Sequence, residues 1–169
     1  MDNRHIRFEE GNVDLDQLQD LFKQAAFWAV DRQRKDLELA LAHSHPVITA
    51  WDGARLVGFA RATSDGVYRA TIWDVVIHPD YQGVGLGRKL VQTVLSHPHM
   101  YRVERVYLMT TYNQAFYERI GFQVNPTTTM ILQNQPLSAL SAATCATAEA
   151  IAPASTEVTS SVDSSPPSM

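Results

Sequence analysis

Gln82-Gly83-Val84-Gly85-Leu86-Gly87-Arg88-Lys89 is the stretch on which the reading of this chain turns. An apolar run, Ile72 to Ile77, precedes it, and an amphipathic run, Leu86 to Leu95, follows it. That order describes a strand, a tight loop and a helix. Three glycines at alternate positions remove side chains that would hold a ligand off the backbone, and the helix leaves its first N–H groups without intrahelical acceptors. Such a turn is an anion site, suited to a pyrophosphate gripped by successive N–H groups and the positive end of the helix dipole. A dinucleotide fingerprint, G-x-G-x-x-G, would need a glycine where Arg88 stands, and the Gly-Lys-Ser/Thr ending of a Walker loop is absent.

The spacing that does fit is Gln-x-x-Gly-x-Gly, read as Gln82, Gly85 and Gly87. Val75-Val76-Ile77-His78-Pro79-Asp80-Tyr81 stands before it and Phe116-Tyr117-Glu118-Arg119-Ile120-Gly121-Phe122 after it. Together the three segments resemble the coenzyme A loop and its neighbours in the GNAT superfamily of N-acetyltransferases, over roughly Ile6 to Leu132. The resemblance implies an α/β (α+β) fold. Its central sheet is mixed and mostly antiparallel, of six to seven strands flanked by about four helices, with parallel fourth and fifth strands that splay apart. It also implies acetyl-CoA as cosubstrate. The splayed strand would offer the main chain of Val75, Val76 and Ile77 to the pantetheine amides. The loop from Gln82 through Gly83, Val84, Gly85, Leu86, Gly87, Arg88 and Lys89 would hold the phosphates, with Gln82 bracing the loop and main-chain donors outweighing the charges of Arg88 and Lys89.

Bulk composition narrows the class. A chain of 169 residues, 45% apolar and 19% charged, has enough material for one real core. The net charge of −4 gives no reason to expect nucleic acid, whose phosphates call for clustered Lys and Arg, and is compatible with a cationic small-molecule substrate. A homodimer is admissible. The single cysteine, Cys145, excludes an intramolecular disulfide and a Cys-rich zinc cluster. No signal-peptide pattern and no membrane-length apolar run is found, so no membrane partner and a cytoplasmic location are expected.

In chain order the pattern predicts a strand over His5–Glu9, a helix from Val13 to Trp28, and a second helix from about Arg32 to Ala42. Strands follow at Val47–Trp51, Leu56–Ala62 and Tyr68–Ile77, with turns at Asp52-Gly53 and Asp65-Gly66. Then come a helix over Gly85–Ser96, a strand over Val103–Met109, a short helix over Asn113–Ile120 stopped by Gly121, and a final pair of strands, Phe122–Val124 and Thr128–Leu132. From residue 136 the composition turns to Ala, Ser, Thr and Pro. The expected organisation is a catalytic domain over 1–135 and a disordered tail over 136–169.

Acyl transfer to an amine needs a neutral nitrogen, a polarised carbonyl and a proton for the departing thiolate. By the resemblance, Tyr117 is the acid that serves the thiolate. The alternative for it is an ordinary core tyrosine. Asp74, a carboxylate inside an apolar strand, is the candidate base or amine anchor, with an ion pair to Arg61 or Arg69 as the alternative. Asn113 stands only four residues before the tyrosine, while Thr110 occupies the place about seven before it where the superfamily usually carries Asn, so its contact with the coenzyme rests on a departing pattern. The pairs His43/His45 and His97/His99 are read as solvated loop residues without accompanying carboxylates, and no metal is expected. Trp28, Trp51, Trp73, Tyr68 and Tyr112 are either core or an aromatic slot. The Val75–Gly87 and Thr110–Phe122 segments look like the cyanobacterial and plastid branch that includes serotonin and arylalkylamine N-acetyltransferases. That implies direct acetyl transfer to an arylalkylamine such as serotonin, the rivals being protein lysine acetylation and a non-catalytic CoA-binding module.

Overall fold

The structure, a computed structural model, describes residues 5–132. Strand β1 (Arg7–Glu10) leads to helices α1 (Leu15–Ala25) and α2 (Arg34–Ala42), then to strands β2 (Val47–Asp52), β3 (Arg55–Ser64) and β4 (Arg69–Ile77). A 3-10 turn (Pro79–Tyr81) precedes α3 (Leu86–Ser96), β5 (Arg105–Tyr107) and α4 (Gln114–Glu118). The sheet runs β1-β2-β3-β4-β5 in sequence order, antiparallel until β4 meets β5 in parallel. Helix α1 starts where Asp14 Oδ1 accepts the Asp16 and Gln17 N–H groups, at 3.0 and 3.1 Å. Helix α2 begins two residues later than the sequence pattern suggests, which leaves Arg32 in the connector between the helices.

Period-two alternation divides the sheet's apolar residues between two cores. Val47, Trp51, Leu56, Phe59 and Val76 pack with Leu18, Leu21, Phe22 and Leu37 of α1 and α2. Ile48, Ala60, Ala62 and Ile72 pack with Leu90, Val91 and Val94 of α3, together with half-buried residues of α4. Small residues on this second face let α3 lie close to the sheet.

The expected final pair of strands is not formed. Phe122–Val124 and residues 125–132 lie outside any strand, so five strands stand among the described residues where six to seven were expected. Pro126 brings no N–H to a ladder, and Asn125 Oδ1 takes the Thr127 N–H at 3.3 Å, which bends the backbone locally. β5 is three residues long, shorter than Val103–Met109. It pairs with β4 only at Arg69–Thr71, so β4 runs on alone from Ile72 along that edge. The catalytic domain's expected limit at residue 135 and the tail over 136–169, with Cys145, lie outside the described residues.

Candidate active site

Main-chain donors at the start of α3 form one end of the site. Gly85 is the N-cap with φ of 87° and Gly83 has φ of 75°, left-handed conformations that only glycine adopts without strain. A Cβ added to either would meet nothing within 4 Å, so the missing side chains leave open space above the turn. The first N–H to find an acceptor inside the helix is that of Lys89, on Gly85 O at 3.1 Å, and Leu86, Gly87 and Arg88 precede it. This cradle fits the diphosphate of a coenzyme. Gly87 differs from the other two: a Cβ there would sit 3.4 Å from Phe116 and 3.5 Å from Ile77. Those are ordinary van der Waals distances, so Gly87 lies against α4 and β4 rather than under open space.

One sequence expectation about this loop is corrected. The Lys89 N–H is spent within the helix, and its ammonium lies over the Phe8 ring, 5.0 Å from the centroid, so Lys89 offers the ligand neither group. Leu86 turns its side chain into the core beside Ile6, Val57 and Tyr81, which leaves its main chain as the part available to a ligand. Val84 is half-buried. Gln82 braces the loop, as its Nε2 donates to Ile77 O at 2.9 Å.

Strand β4 supplies the next part. His78 N–H donates to Val57 O on β3, so by alternation Val76 also directs its main chain to β3, whereas Val75 and Ile77 face the edge that β5 leaves open. Val76 therefore lines the cleft by its side chain alone, and the Ile77 carbonyl is engaged by Gln82. Upstream, the register passes from Phe59↔Val76 to Arg61↔Trp73, which places one extra residue on β4. This is a β-bulge, and Asp74 within it has φ of 52°. Ile72 and Val75, three apart, consequently share the α3 face, and Asp74 points to the α1 side.

There Asp74 is captured. Its Oδ2 accepts from Arg32 Nη1 and Arg61 Nε, both at 2.7 Å, and the Trp28 indole N–H lies 3.4 Å from its Oδ1. Burial alone would raise the carboxyl, but the hydrogen bonds and charges of the two arginines overcome it and hold it below the usual carboxylate range. A carboxylate so paired is a poor proton acceptor. The base role expected of Asp74 gives way to the ion-pair alternative, with Arg32 as a partner the sequence did not suggest and with Arg69 turned instead to Glu104.

Two cavities meet beside these elements. A larger one, about 690 Å³, extends from the α3 turn along β4 to α4, and Arg88 and Arg119 lie on its wall. The other, about 410 Å³, lies between the α1–α2 connector and the β5–α4 connection, lined by Arg32, Trp73, Asp74, Met109 and Tyr112. Phe27, Trp28, Val75, Asn113 and Tyr117 border both. Tyr117 stands at the junction, its ring held edge-to-face by Phe116 and Phe122 at 4.9 and 5.9 Å. No hydrogen bond to another described residue engages its hydroxyl, and burial raises its pKa above the ordinary phenol value. Asn113 is exposed at the start of α4, where its N–H donates to Thr110 Oγ1 at 3.2 Å. Phe27 and Arg32 line these cavities although no motif announced them, and Arg119 lies within the quoted Phe116–Phe122 motif without having been given a role. Of the aromatic residues weighed from the sequence, Trp28, Trp73 and Tyr112 line the smaller cavity, and Trp51 is core.

The two histidine pairs do have a carboxylate beside them, contrary to expectation. Ligand atoms of Glu10, His45 and His97 lie within 4.8 Å of one another. These residues could take a divalent ion, and the His97–Glu10 contact is also met by a proton. His99 N–H donates to His97 Nδ1 at 3.1 Å, which leaves the ring proton on Nε2, 3.1 Å from Glu10 Oε1.

A glycine-built helix terminus opening into one cavity, with a phenol at the entrance to a second, aromatic one, is the arrangement expected of a group-transfer enzyme with two substrates. The model of the acetyltransferase (GNAT) family matches residues 15–122, and the chain belongs to that family, making it an acyltransferase that draws on acetyl-CoA. An uncharacterized N-acetyltransferase, ycf52, of Porphyra purpurea is 38% identical over 68% of this chain and 68% of its own length. Serotonin N-acetyltransferase 2, chloroplastic, of Oryza sativa subsp. japonica is 34% identical over 72% of this chain and 62% of its own. The solved structure of a GNAT-family acetyltransferase from Streptococcus pneumoniae superposes with a TM-score of 0.66 at 29% identity, covering 78% of this chain and 99% of that one. Among the described residues no helix is long and apolar enough to cross a membrane.

Proposed function

We propose that this acetyltransferase moves the acetyl group of acetyl-CoA to a primary arylalkylamine such as serotonin, by direct attack in a ternary complex. The observation that carries the reading is the position of Tyr117 on the wall shared by both cavities. When bound, acetyl-CoA supplies the activated carbonyl. The N–H groups of Leu86, Gly87 and Arg88 hold its phosphates, Val75 meets its pantetheine arm and Asn113 borders both substrates. The amine nitrogen bonds to the acetyl carbon as the carbon–sulfur bond breaks. One proton leaves the ammonium for solvent beforehand; Tyr117 gives its proton to the thiolate, and the second proton, lost from nitrogen after attack, returns through water to the phenolate so that the phenol is restored. Its raised pKa keeps that phenol charged with its proton.

The aromatic lining of the smaller cavity and the likeness to the rice protein favour an aryl acceptor. Cytoplasmic action belongs to the same proposal, although the rice relative is named as chloroplastic; cell fractionation separates the two. The test is acetyl-CoA consumption with serotonin, tryptamine, an aliphatic diamine and a lysine peptide. Arylalkylamines should turn over fastest. Faster turnover of the peptide would move the reading to protein acetylation, and no turnover with any acceptor would leave a CoA-binding module.

A further inference from the structure

If Asp74 is not the base, something else must make the acceptor neutral. Primary alkylamines titrate near pH ~10, so at neutral pH most of the acceptor arrives as ammonium. The smaller cavity has an uneven charge. Arg32 lines it with its side chain 32% exposed, whereas the Asp74 side chain is 5% exposed and has both guanidiniums on one oxygen. Arg61 stands behind Asp74 at 15% exposure. Two guanidiniums against one carboxylate leave one net positive charge. The other titratable groups on this wall are the phenols Tyr112 and Tyr117, from the β5–α4 connection and α4. In the neighbouring cavity the charged residues are Arg88 and Arg119.

We propose that the Arg32–Asp74–Arg61 cluster, rather than a carboxylate base, prepares the acceptor: its net positive charge, facing the cavity beside Tyr117, favours the uncharged amine over the ammonium. This rests on the acetyl-transfer reading of the site. A positive neighbour disfavours a second positive charge, and a desolvated lysine beside a cation is activated in the same way. An amine inside one cavity lies within roughly a Debye length of the guanidinium, about 10 Å at 0.1 M salt, so screening does not erase the effect. The released proton goes to water. Arg32 and Asp74 act as positioning residues for charge. The cluster also works against acceptors with further cationic groups, such as lysine within a basic peptide, and suits an aromatic monoamine.

The test compares wild type with Asp74→Asn and Arg32→Gln, using tryptamine. Asn tolerates the left-handed backbone at position 74 and raises the cluster's net charge; Gln at position 32 removes it. The readout is the pH profile of kcat, which reports ionisations in the ternary complex. Asp74→Asn should move the acidic limb down, and Arg32→Gln should move it up, each by about half to one pH unit. At a pH on that limb Arg32→Gln is then about three- to tenfold slower and recovers at higher pH. Loss of the acidic limb in Asp74→Asn, with a rate about a hundredfold lower at every pH, would restore Asp74 as the base and overturn the inference. If removing the carboxylate between two arginines prevents folding, the half-exposed Arg32 position still decides the matter. Binding supplies an arm that does not depend on turnover. In calorimetry with coenzyme A present, wild type should bind the neutral isostere tryptophol more tightly than tryptamine, with the ratio reversing toward tryptamine in Arg32→Gln. Tighter binding of tryptamine by wild type sinks the inference. Absence of acetyl transfer together with the expected preference for tryptophol sinks only the acetyl-transfer reading.

Discussion

Gly85 and Tyr117 are the residues on which the chemistry is most exposed to test. Gly85 combines a left-handed backbone with open space on the ligand side, so Gly85→Val imposes about 1–3 kcal/mol of strain and fills the approach to the turn. Calorimetry should show acetyl-CoA binding weakened about tenfold or more; unchanged affinity would count against the loop as the phosphate site. Tyr117→Phe keeps the ring that packs on Phe116 and Phe122 and removes only the hydroxyl. Acetyl-CoA affinity should hold while kcat falls about a hundredfold or more; equal rates would take Tyr117 out of the mechanism. Both positions were legible from motif spacing. Arg32 was not, because an arginine between two helices carries no local signal of the carboxylate it will meet on β4.

At the scale of elements, α3 does two jobs, as its first turn forms the proposed phosphate site and its apolar stripe anchors it to the sheet. Leu90 is fully buried against that sheet. Leu90→Ala should cost about 2–5 kcal/mol in denaturant unfolding through the cavity it leaves. A loss under about 1 kcal/mol would mean that the site collapses without strain or that the helix is less firmly seated than its burial indicates. The stripe was readable from the 3.6-residue repeat, and so were β2, β3 and β4 from their turns. The bulge in β4 was not. Trp73-Asp74-Val75 looks like ordinary strand sequence, and the extra residue becomes visible only when β3 supplies a register to compare. That single added residue separates an Asp74 aimed at the α3 core from one held by Arg32 and Arg61.

For the whole molecule, acid should act in two steps. His78 is buried between Arg55 and Gln24 with Nδ1 accepting the Asp80 N–H, and burial, helped by the Arg55 charge, lowers its pKa. A depressed histidine contributes stability that is full above the unfolded value of about 6.5 and is lost as pH falls through the folded one. Asp74, also depressed, contributes above about 3.9 and is lost below it. Thermal melts from pH 8 to 3 should therefore decline gently below about 6.5 and steeply below about 4, and His78→Gln should remove the first decline. A profile flat down to pH 4 would mean that His78 carries no such linkage. What this sequence determined unaided is its glycine turn ahead of α3, the order of most elements and the family, because glycine spacing, helical periodicity and turn residues act between near neighbours in the chain. What only the tertiary structure decided is the strand bulge and the capture of Asp74 by Arg32 and Arg61. Each depends on groups far apart in sequence competing for the same partner, and that competition is settled only when the sheet and helices have packed.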